Sequence, residues 1–297
     1  MPDDRSVTIR QPATANLLID SLDRNDTNYP SPFNFSIIKP QAIQNGFFNR
    51  IGTTEVVLEW CEPNINNEPT RLNNVIAIDI SGTAANTYVG TQTVTLTVGC
   101  YTVKEVLDTI VAKLNAVTGT TGATFAVTFT NGIVTLTVTG AVYRIQFNDQ
   151  AAAGSILANQ LEIIQETYTN SKQVRCPDIR PFRYIDFVSQ QLTYNQELKD
   201  ATTNSLVRDV LCRWYFSEDV PTALDAYGFP ILMGYKPFVR RRLFSPPKQI
   251  RWSNDQTIGN LQFQVYGWVP YIGLTPDVIQ TDNEDTNWLM TLQLSEN

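Results

Sequence analysis

The feature that most constrains the fold is a series of short runs in which every second residue is apolar. In one of them Leu261, Phe263 and Val265 alternate with polar or smaller residues. This period of two places one face of a β-strand in a core and the other outside it. Clear runs outside the middle of the chain are Thr14–Asp20, Phe33–Ile38, Thr54–Trp60, Phe182–Val188, Val207–Phe216, Leu261–Trp268 and Trp288–Leu294.

The middle of the chain has a different pattern. Strand-like runs at Val75–Ser81 and Thr91–Val98 precede a helical stripe, and Thr102 with Glu105 forms a capping box at its start. An Asn131-Gly132 dipeptide between alternating runs indicates a hairpin with a type I′ turn, and a further strand is expected at Val142–Phe147. The apolar stripe of the helix consists of Val103, Val106, Leu107, Ile110, Val111 and Leu114.

These patterns predict a mainly β protein, a single jelly-roll β-sandwich with an inserted α+β lobe. About eight strands are expected outside the middle region, which is the number that a jelly roll needs. The predicted division is 1–71 for the first part of the jelly roll, 72–166 for the lobe and 167–297 for the second part.

Charged residues make up only 17 % of the 297-residue chain, so Asn, Gln, Thr and Ser must build much of its polar surface. Uncharged polar groups cost less to bury than charges, which suits a protein that packs against neighbours. A compositional habit of the source genome explains the same bias equally well. The net charge of −7 predicts weak or absent contact with nucleic acid, because a nucleic-acid coat needs a basic face.

The chain contains no histidine, which excludes Ser-His-Asp and Cys-His catalysis and histidine metal sites. It also lacks phosphate-binding glycine motifs. Cys61, Cys100, Cys176 and Cys212 form no C-x-x-C pair and are interpreted as reduced thiols. We therefore expect no catalytic residues, no metal, no cofactor and no enzymatic activity.

No membrane span is expected, because no run of about 18 apolar residues occurs. The opening residues Met1–Arg5 are polar and give no sign of a secretory signal.

Two charged clusters have alternative readings. Asp20 and Asp23 could be a carboxylate pair for hydrolysis or metal binding, or they could cap a strand end and pair with Arg24, which fixes the following loop and is the favoured interpretation. Arg240-Arg241-Arg242 could contact packaged nucleic acid or an acidic neighbour, or it could form a solvated face.

The segment Tyr227–Pro247 is apolar, contains prolines and resembles neither helix nor strand. Such a segment is better explained by packing on another subunit than by exposure to water. Phe229, Leu232, Arg240, Arg241 and Arg242 are therefore the expected interface residues.

Three stretches together resemble penton and minor capsid proteins of virophages, polinton-like elements and large eukaryotic DNA viruses. Ala15–Arg24 and Tyr29–Ile37 match the pattern I-D-S-x-D-R, a short loop and P-x-x-F. Gly99–Leu107 resembles their G-x-Y-T-x-x-E-L-L insert, and Asn254–Tyr266 resembles their closing strand. The following residues, Gly267–Pro270, depart from the acidic turn that is usual there.

The resemblance implies a jelly roll without catalysis that forms oligomers at icosahedral vertices or between major capsomers. The expected function is a penton protein that forms a cyclic homo-oligomer, with five copies as the expected order. Its expected partners are itself, the major capsid protein and other minor capsid proteins. The expected location is the virion, with assembly in the host cytoplasm or nucleus. Two alternatives are a triplex or cement protein of the same viruses, and a glycan-binding or hydrolytic β-sandwich of a fibre or spike.

Overall fold

A computed structural model of the chain describes sixteen stretches of the sequence. They are residues 13–43, 48–68, 72–82, 88–117, 123–131, 133–140, 142–147, 155–163, 167–168, 171–175, 177–193, 210–216, 223–251, 258–268, 277–279 and 286–296.

The described elements are strands, three helices and one 3₁₀ turn at Ser21–Asp23. In chain order they are β1 (Thr14–Asp20), β2 (Asn34–Ile43), β3 (Arg50–Trp60), β4 (Val75–Gly82), β5 (Tyr88–Thr95), α1 (Val103–Val117), β6 (Ala123–Thr130), β7 (Ile133–Gly140), β8 (Val142–Phe147), α2 (Leu157–Gln160), β9 (Thr167–Tyr168), β10 (Ser171–Val174), β11 (Tyr184–Val188), α3 (Gln190–Thr193), β12 (Val210–Tyr215), β13 (Phe238–Leu243), β14 (Gln249–Arg251), β15 (Ile258–Trp268), β16 (Asp277–Val278) and β17 (Asn287–Ser295).

Two antiparallel sheets form the sandwich. Sheet 1 has the order β1-β17-β3-β13, with β14 also paired to β3. In sheet 2, β15 pairs with β2 and β16 on one side and with β11 on the other, and β12 follows β11. Numbered one to eight along the chain, the main strands β1, β2, β3, β11, β12, β13, β15 and β17 have the order 1-8-3-6 in sheet 1 and 2-7-4-5 in sheet 2, which is the strand order of a jelly roll. The predicted fold class is confirmed.

Aromatic rings fill the space between the two sheets. Trp60 packs against Phe33, Phe182 and Phe216, with ring centroids 5.0–6.0 Å apart. The buried indole N–H of Trp288 donates to the carbonyl oxygen of Pro32 at 2.8 Å, which satisfies the polar end of the ring.

The strand register fixes which connections share an end of the sandwich. At one end of sheet 1, Trp60 pairs with Phe238, where β3 stops and β13 starts. In sheet 2 the matching end has Tyr184 opposite both Tyr215 and Trp268. The lobe, which follows β3, and the connection from β12 to β13 therefore leave from the same end, called the lobe end below.

The lobe has its own core, in which α1 packs against β-strands. Its sheets have the orders β5-β4-β8-β9 and β10-β7-β6. The capping box is confirmed, because the N–H of Thr102 donates to Glu105 Oε2 at 2.7 Å and the N–H of Glu105 donates to Thr102 Oγ1 at 3.3 Å. Asn131 has a φ of 52°, the left-handed conformation that the predicted hairpin turn requires.

The lobe core also draws on residues outside the predicted insert. Ile65, Val174 and Ile179 are buried in it, together with Phe229 and Tyr235. A buried amide network ties its base together, since Asn73 Nδ2 donates both to Asn64 O at 2.7 Å and to Gln160 Oε1 at 2.9 Å. The boundaries at 71/72 and 166/167 stay a prediction.

The sequence prediction missed β13 as well as the shorter strands β9, β10, β14 and β16. The expectation that Tyr227–Pro247 is neither helix nor strand is wrong for its second half, where β13 pairs with β3. Three consecutive arginines hide the alternation there. Phe238 still packs on the sandwich core, while Val239 and Leu243 point outward and are exposed.

Candidate assembly surfaces

The first half of the predicted interface segment lies on the lobe of its own chain. Asp225 Oδ2 accepts the N–H of Lys104 in the first turn of α1 at 3.0 Å. Its other carboxylate oxygen accepts the N–H groups of Tyr227 and Phe229, each at 2.9 Å. One carboxylate therefore caps the helix and shapes the loop that covers it.

Side chains reinforce this contact. The hydroxyl of Tyr227 donates to Asp108 Oδ1 at 2.6 Å, and burial beside that carboxylate raises the pKa of Tyr227 to about 12. Lys236 Nζ lies 3.1 Å from Glu105 Oε2. The pKa of Glu105 is lowered, first by the N–H of Thr102 and further by Lys236. The segment is thus held to α1 by charged and hydrogen-bonded groups.

The burial of Phe229 changes the interpretation of this segment. Phe229 lies in the lobe core, and Leu232 packs against that core. The premise that a single chain would leave these side chains in water is therefore wrong. A contact of either residue with another subunit stays a prediction.

The three arginines lie on β13, at one edge of sheet 1. Arg241 forms an ion pair with Glu55 on β3. Arg242 Nη1 donates to the carbonyl oxygen of Arg213 at 3.3 Å, and its guanidinium lies 4.8 Å from the ring centroid of Phe244. Arg240 is exposed. The run is therefore divided between the outer face of the sheet and the gap between the two sheets.

Cations from sheet 1 cover an edge of sheet 2. Strand β12 ends that sheet, and its carbonyl oxygens at Arg213 and Val210 accept from Arg242 and from Lys248, the latter at 3.2 Å. Side chains that occupy the free carbonyls of an edge strand oppose its pairing with another strand. This edge is therefore suited to side-chain contacts rather than strand addition.

Strand β1 forms the opposite edge of sheet 1, and its following loop is built around Arg24. The buried guanidinium of Arg24 donates to the carbonyl oxygens of Ser21 at 2.9 Å and Tyr29 at 3.2 Å, and it pairs with Asp26 at 3.2 Å. Asp20 caps the 3₁₀ turn by accepting the N–H of Leu22 at 2.9 Å. These contacts agree with the reading of Asp20 and Arg24 as groups that cap the strand end and fix the loop, although the ion pair of Arg24 is with Asp26.

The outer face of sheet 2 carries a stack of two aromatic side chains between two arginines, which the sequence prediction missed. Tyr184 and Trp268 stack with an interplanar angle of 1° and centroids 5.7 Å apart. The guanidinium of Arg213 lies 3.9 Å from the centroid of Tyr184, and that of Arg183 lies 4.8 Å from that of Trp268. Asp186 binds Arg213 at 2.6 and 2.8 Å and fixes its plane. Cross-strand pairing brings these residues together, so only the register could have revealed the stack.

Three of the four cysteines, Cys61, Cys100 and Cys212, are described, and they are thiols rather than members of a disulfide. Burial raises the pKa of Cys100, and it raises that of the fully buried Cys212 to about 12. Cys176 lies outside the described residues.

Within the described ranges, no group of three or more acidic or cysteine side chains is placed to hold a metal ion. No helix among these residues is long and apolar enough to cross a membrane.

The fold and its surfaces define a class, a single jelly roll with an α+β insert between its third and fourth main strands. Comparison with protein-family models finds no match, and comparison with curated protein sequences finds none either. Among solved structures, the chain is similar to the penton protein of mavirus, with a TM-score of 0.53 and 12 % sequence identity. The match covers 97 % of this chain and 100 % of that protein.

A second similar chain belongs to the cryo-EM structure of the Sputnik virophage. It has a TM-score of 0.47 and 13 % identity, and the match covers 96 % of this chain and 98 % of that one. The match to the mavirus penton protein confirms the predicted resemblance at the level of the fold.

Proposed function

We propose that the chain is a structural protein of a virus particle, a penton that forms a cyclic homo-oligomer at icosahedral vertices. The observation that carries the proposal is the end-to-end match of the fold to the mavirus penton protein, sandwich and lobe together. Five copies form the expected ring, because five-fold order is what such a vertex requires. The major capsid protein is the expected neighbour around the ring.

The surfaces of the sandwich support an assembly role. Strand β13 exposes Val239 and Leu243 on either side of the Arg241–Glu55 ion pair. Exposed apolar side chains give a neighbouring subunit area to bury. The stack of Arg183, Trp268, Tyr184 and Arg213 adds a second surface, built from Arg, Trp and Tyr, the residue types enriched among those that dominate protein interfaces.

No catalytic step is proposed. The chain has no histidine, and Asp20 and Arg24 are engaged in fixing the loop after β1. Hydrolysis of glycans, phosphoesters or peptides by the pure protein, lost in Asp20→Asn or Asp23→Asn, would contradict this.

Light scattering coupled to size-exclusion chromatography tests the ring. The expected result is a single species of five copies, and a chain that stays monomeric at high concentration would overturn the proposal. Copy number per particle separates a penton from a triplex or cement protein. Sixty copies follow from five at each of the twelve vertices of an icosahedron, and a much larger number would favour the triplex position.

A further inference from the structure

Two opposite edges of sheet 1 have complementary character. The edge at β13 and β14 carries the basic side chains of Arg240, Arg241, Arg242 and Lys248, of which Arg242 and Lys248 also donate to carbonyl oxygens of β12. Only Glu55 and Glu59 of the neighbouring strand oppose them. This surface is called the basic edge.

The edge at β1 has the opposite sign. Its described residues include four carboxylates, Asp20, Asp23, Asp26 and Glu296, against the single guanidinium of Arg24. This surface is called the acidic edge. Attraction between the two edges would orient two copies of the chain in one direction only.

Each edge also exposes two large apolar side chains. Val239 and Leu243 are 66 % and 63 % exposed on the basic edge, and Leu18 and Leu22 are 59 % and 61 % exposed on the acidic edge. Charge alone gives little affinity between exposed groups, so these side chains would supply most of the binding energy.

The register of sheet 1 places the matching groups at equal heights along the strands. One row across the outer face runs from Arg241 through Val57 and Leu289 to Asp20. The next row runs from Leu243 through Glu55 and Thr291 to Leu18. Arg241 and Asp20 therefore lie at the two ends of one row, and Leu243 and Leu18 lie at the two ends of the next row.

From these observations we infer that the basic edge of one copy binds the acidic edge of the next, in a ring whose axis runs along the strands. The inference rests on the proposed function, because it names the contact that closes the homo-oligomer. Rotation about an axis keeps each residue at its height along that axis, so the ends of one row meet in neighbouring copies. Opposite edges make a head-to-tail contact, which closes into a ring when each copy is related to the next by rotation about that axis through a whole fraction of a turn. All lobes then project from the same end of the ring.

Two double variants, each with one edge blocked, test this contact. Val239→Asp with Leu243→Asp places carboxylates on the basic edge, where the acidic edge of a neighbour repels them. Leu18→Lys with Leu22→Lys places cations on the acidic edge. Each variant alone should be monomeric, with self-association weakened by roughly 100-fold or more. A matched control is Ile133→Asp, an exposed residue of the lobe hairpin, which should leave the wild-type oligomer intact.

A mixture of the two variants gives the decisive result. Each still has one native edge, so an equimolar mixture should form a dimer with one copy of each variant in native mass spectrometry. The substituted edges would meet only through exposed ion pairs, which are too weak to extend the dimer. Formation of the heterodimer also demonstrates that both variants are folded.

The outcomes separate this inference from the proposed function. A wild-type oligomer with no heterodimer in the mixture would overturn the edge-to-edge contact and leave the ring itself standing. If either double variant self-associates as strongly as the wild type, the edge-to-edge contact is also overturned. A monomeric wild-type chain would overturn the proposed function.

Discussion

The sandwich and the lobe are stabilised by different kinds of core. Among the described residues, nine aromatic side chains are buried in the sandwich, whereas the lobe core is mostly aliphatic and its buried aromatic residues are Phe125, Phe229 and Tyr235. The sandwich rings are Phe33, Phe35, Trp60, Phe182, Phe187, Trp214, Phe216, Phe263 and Trp288.

The two regions also differ in the distance along the chain over which strands pair. Strand β1 pairs with β17 at the other end of the sequence, while β6 pairs with β7 across a tight turn. The difference teaches that the lobe can form from local contacts, while the sandwich requires both ends of the chain. We therefore expect the lobe and the sandwich to open as separate units.

The largest effect is expected from Trp288→Ala in the sandwich. The ring is buried against Phe35, Phe187 and Phe263, and its loss leaves a cavity and an unpaired carbonyl at Pro32. The free energy of unfolding should fall by about 3–5 kcal/mol, measured by urea denaturation. Trp288→Phe is the matched control, since it keeps most of the packing and should cost clearly less. Equal costs for the two variants would contradict the packing account.

A smaller and local effect is expected from Leu107→Ala on α1. Leu107 is buried in the lobe core and contacts no part of the sandwich core cluster. Its truncation should cost about 2–3 kcal/mol. Hydrogen exchange should accelerate in α1 and β6 while the amides of β3 and β17 keep their protection. Faster exchange throughout both regions would show that they unfold as one unit.

Thr102→Ala removes half of the capping box and should destabilise the lobe by about 1 kcal/mol. Thr109→Ala is the control on the same helix, because Thr109 is half-buried in the middle of the helix and its hydroxyl donates to the backbone carbonyl of Glu105 at 2.7 Å rather than to the helix start. The free energy of unfolding of Thr109→Ala should lie within about 0.5 kcal/mol of the wild-type value. Hydrogen exchange in the first turn of α1 measures the effect of both variants. Equal exchange rates in Thr102→Ala and Thr109→Ala would contradict the capping role of Thr102.

The smallest effect concerns pH. The pKa of Glu105 is lower in the folded protein than in an unfolded chain, so its ionised form stabilises the lobe. That stability is present above the ordinary pKa of a glutamate and is lost as the pH falls through the folded-state value. Glu105→Gln should therefore flatten the acid dependence of lobe exchange between about pH 6 and about pH 3. If the pH dependence of lobe exchange is the same in Glu105→Gln as in the wild type, other carboxylates cause it.

The lobe was the part that the sequence predicted in most detail, because its signals are local. The apolar stripe, the Thr102–Glu105 pair and the Asn131 turn each act over a few residues, and the structure has all three. The sandwich could be predicted as a class from the number of alternating runs. Its strand order could not, since the pairing of Leu18 with Thr291 depends on contacts between the two ends of the chain.

The surfaces were the least predictable part. Strand β13 was missed because Arg240, Arg241 and Arg242 interrupt the alternation, and an edge strand tolerates charge on both faces. The Phe229 segment could not be assigned to the lobe, because α1 lies more than a hundred residues earlier in the chain. Both assignments require the register of distant strands, which periodicity alone does not contain.

Electron-microscopic imaging of the purified wild-type oligomer tests the central claim most directly. The predicted result is a closed ring with five-fold symmetry, with sandwich strands along the axis and five lobes projecting from one end. A chain that is monomeric at the highest attainable concentration, or a ring of another order, would contradict the proposal of a vertex protein.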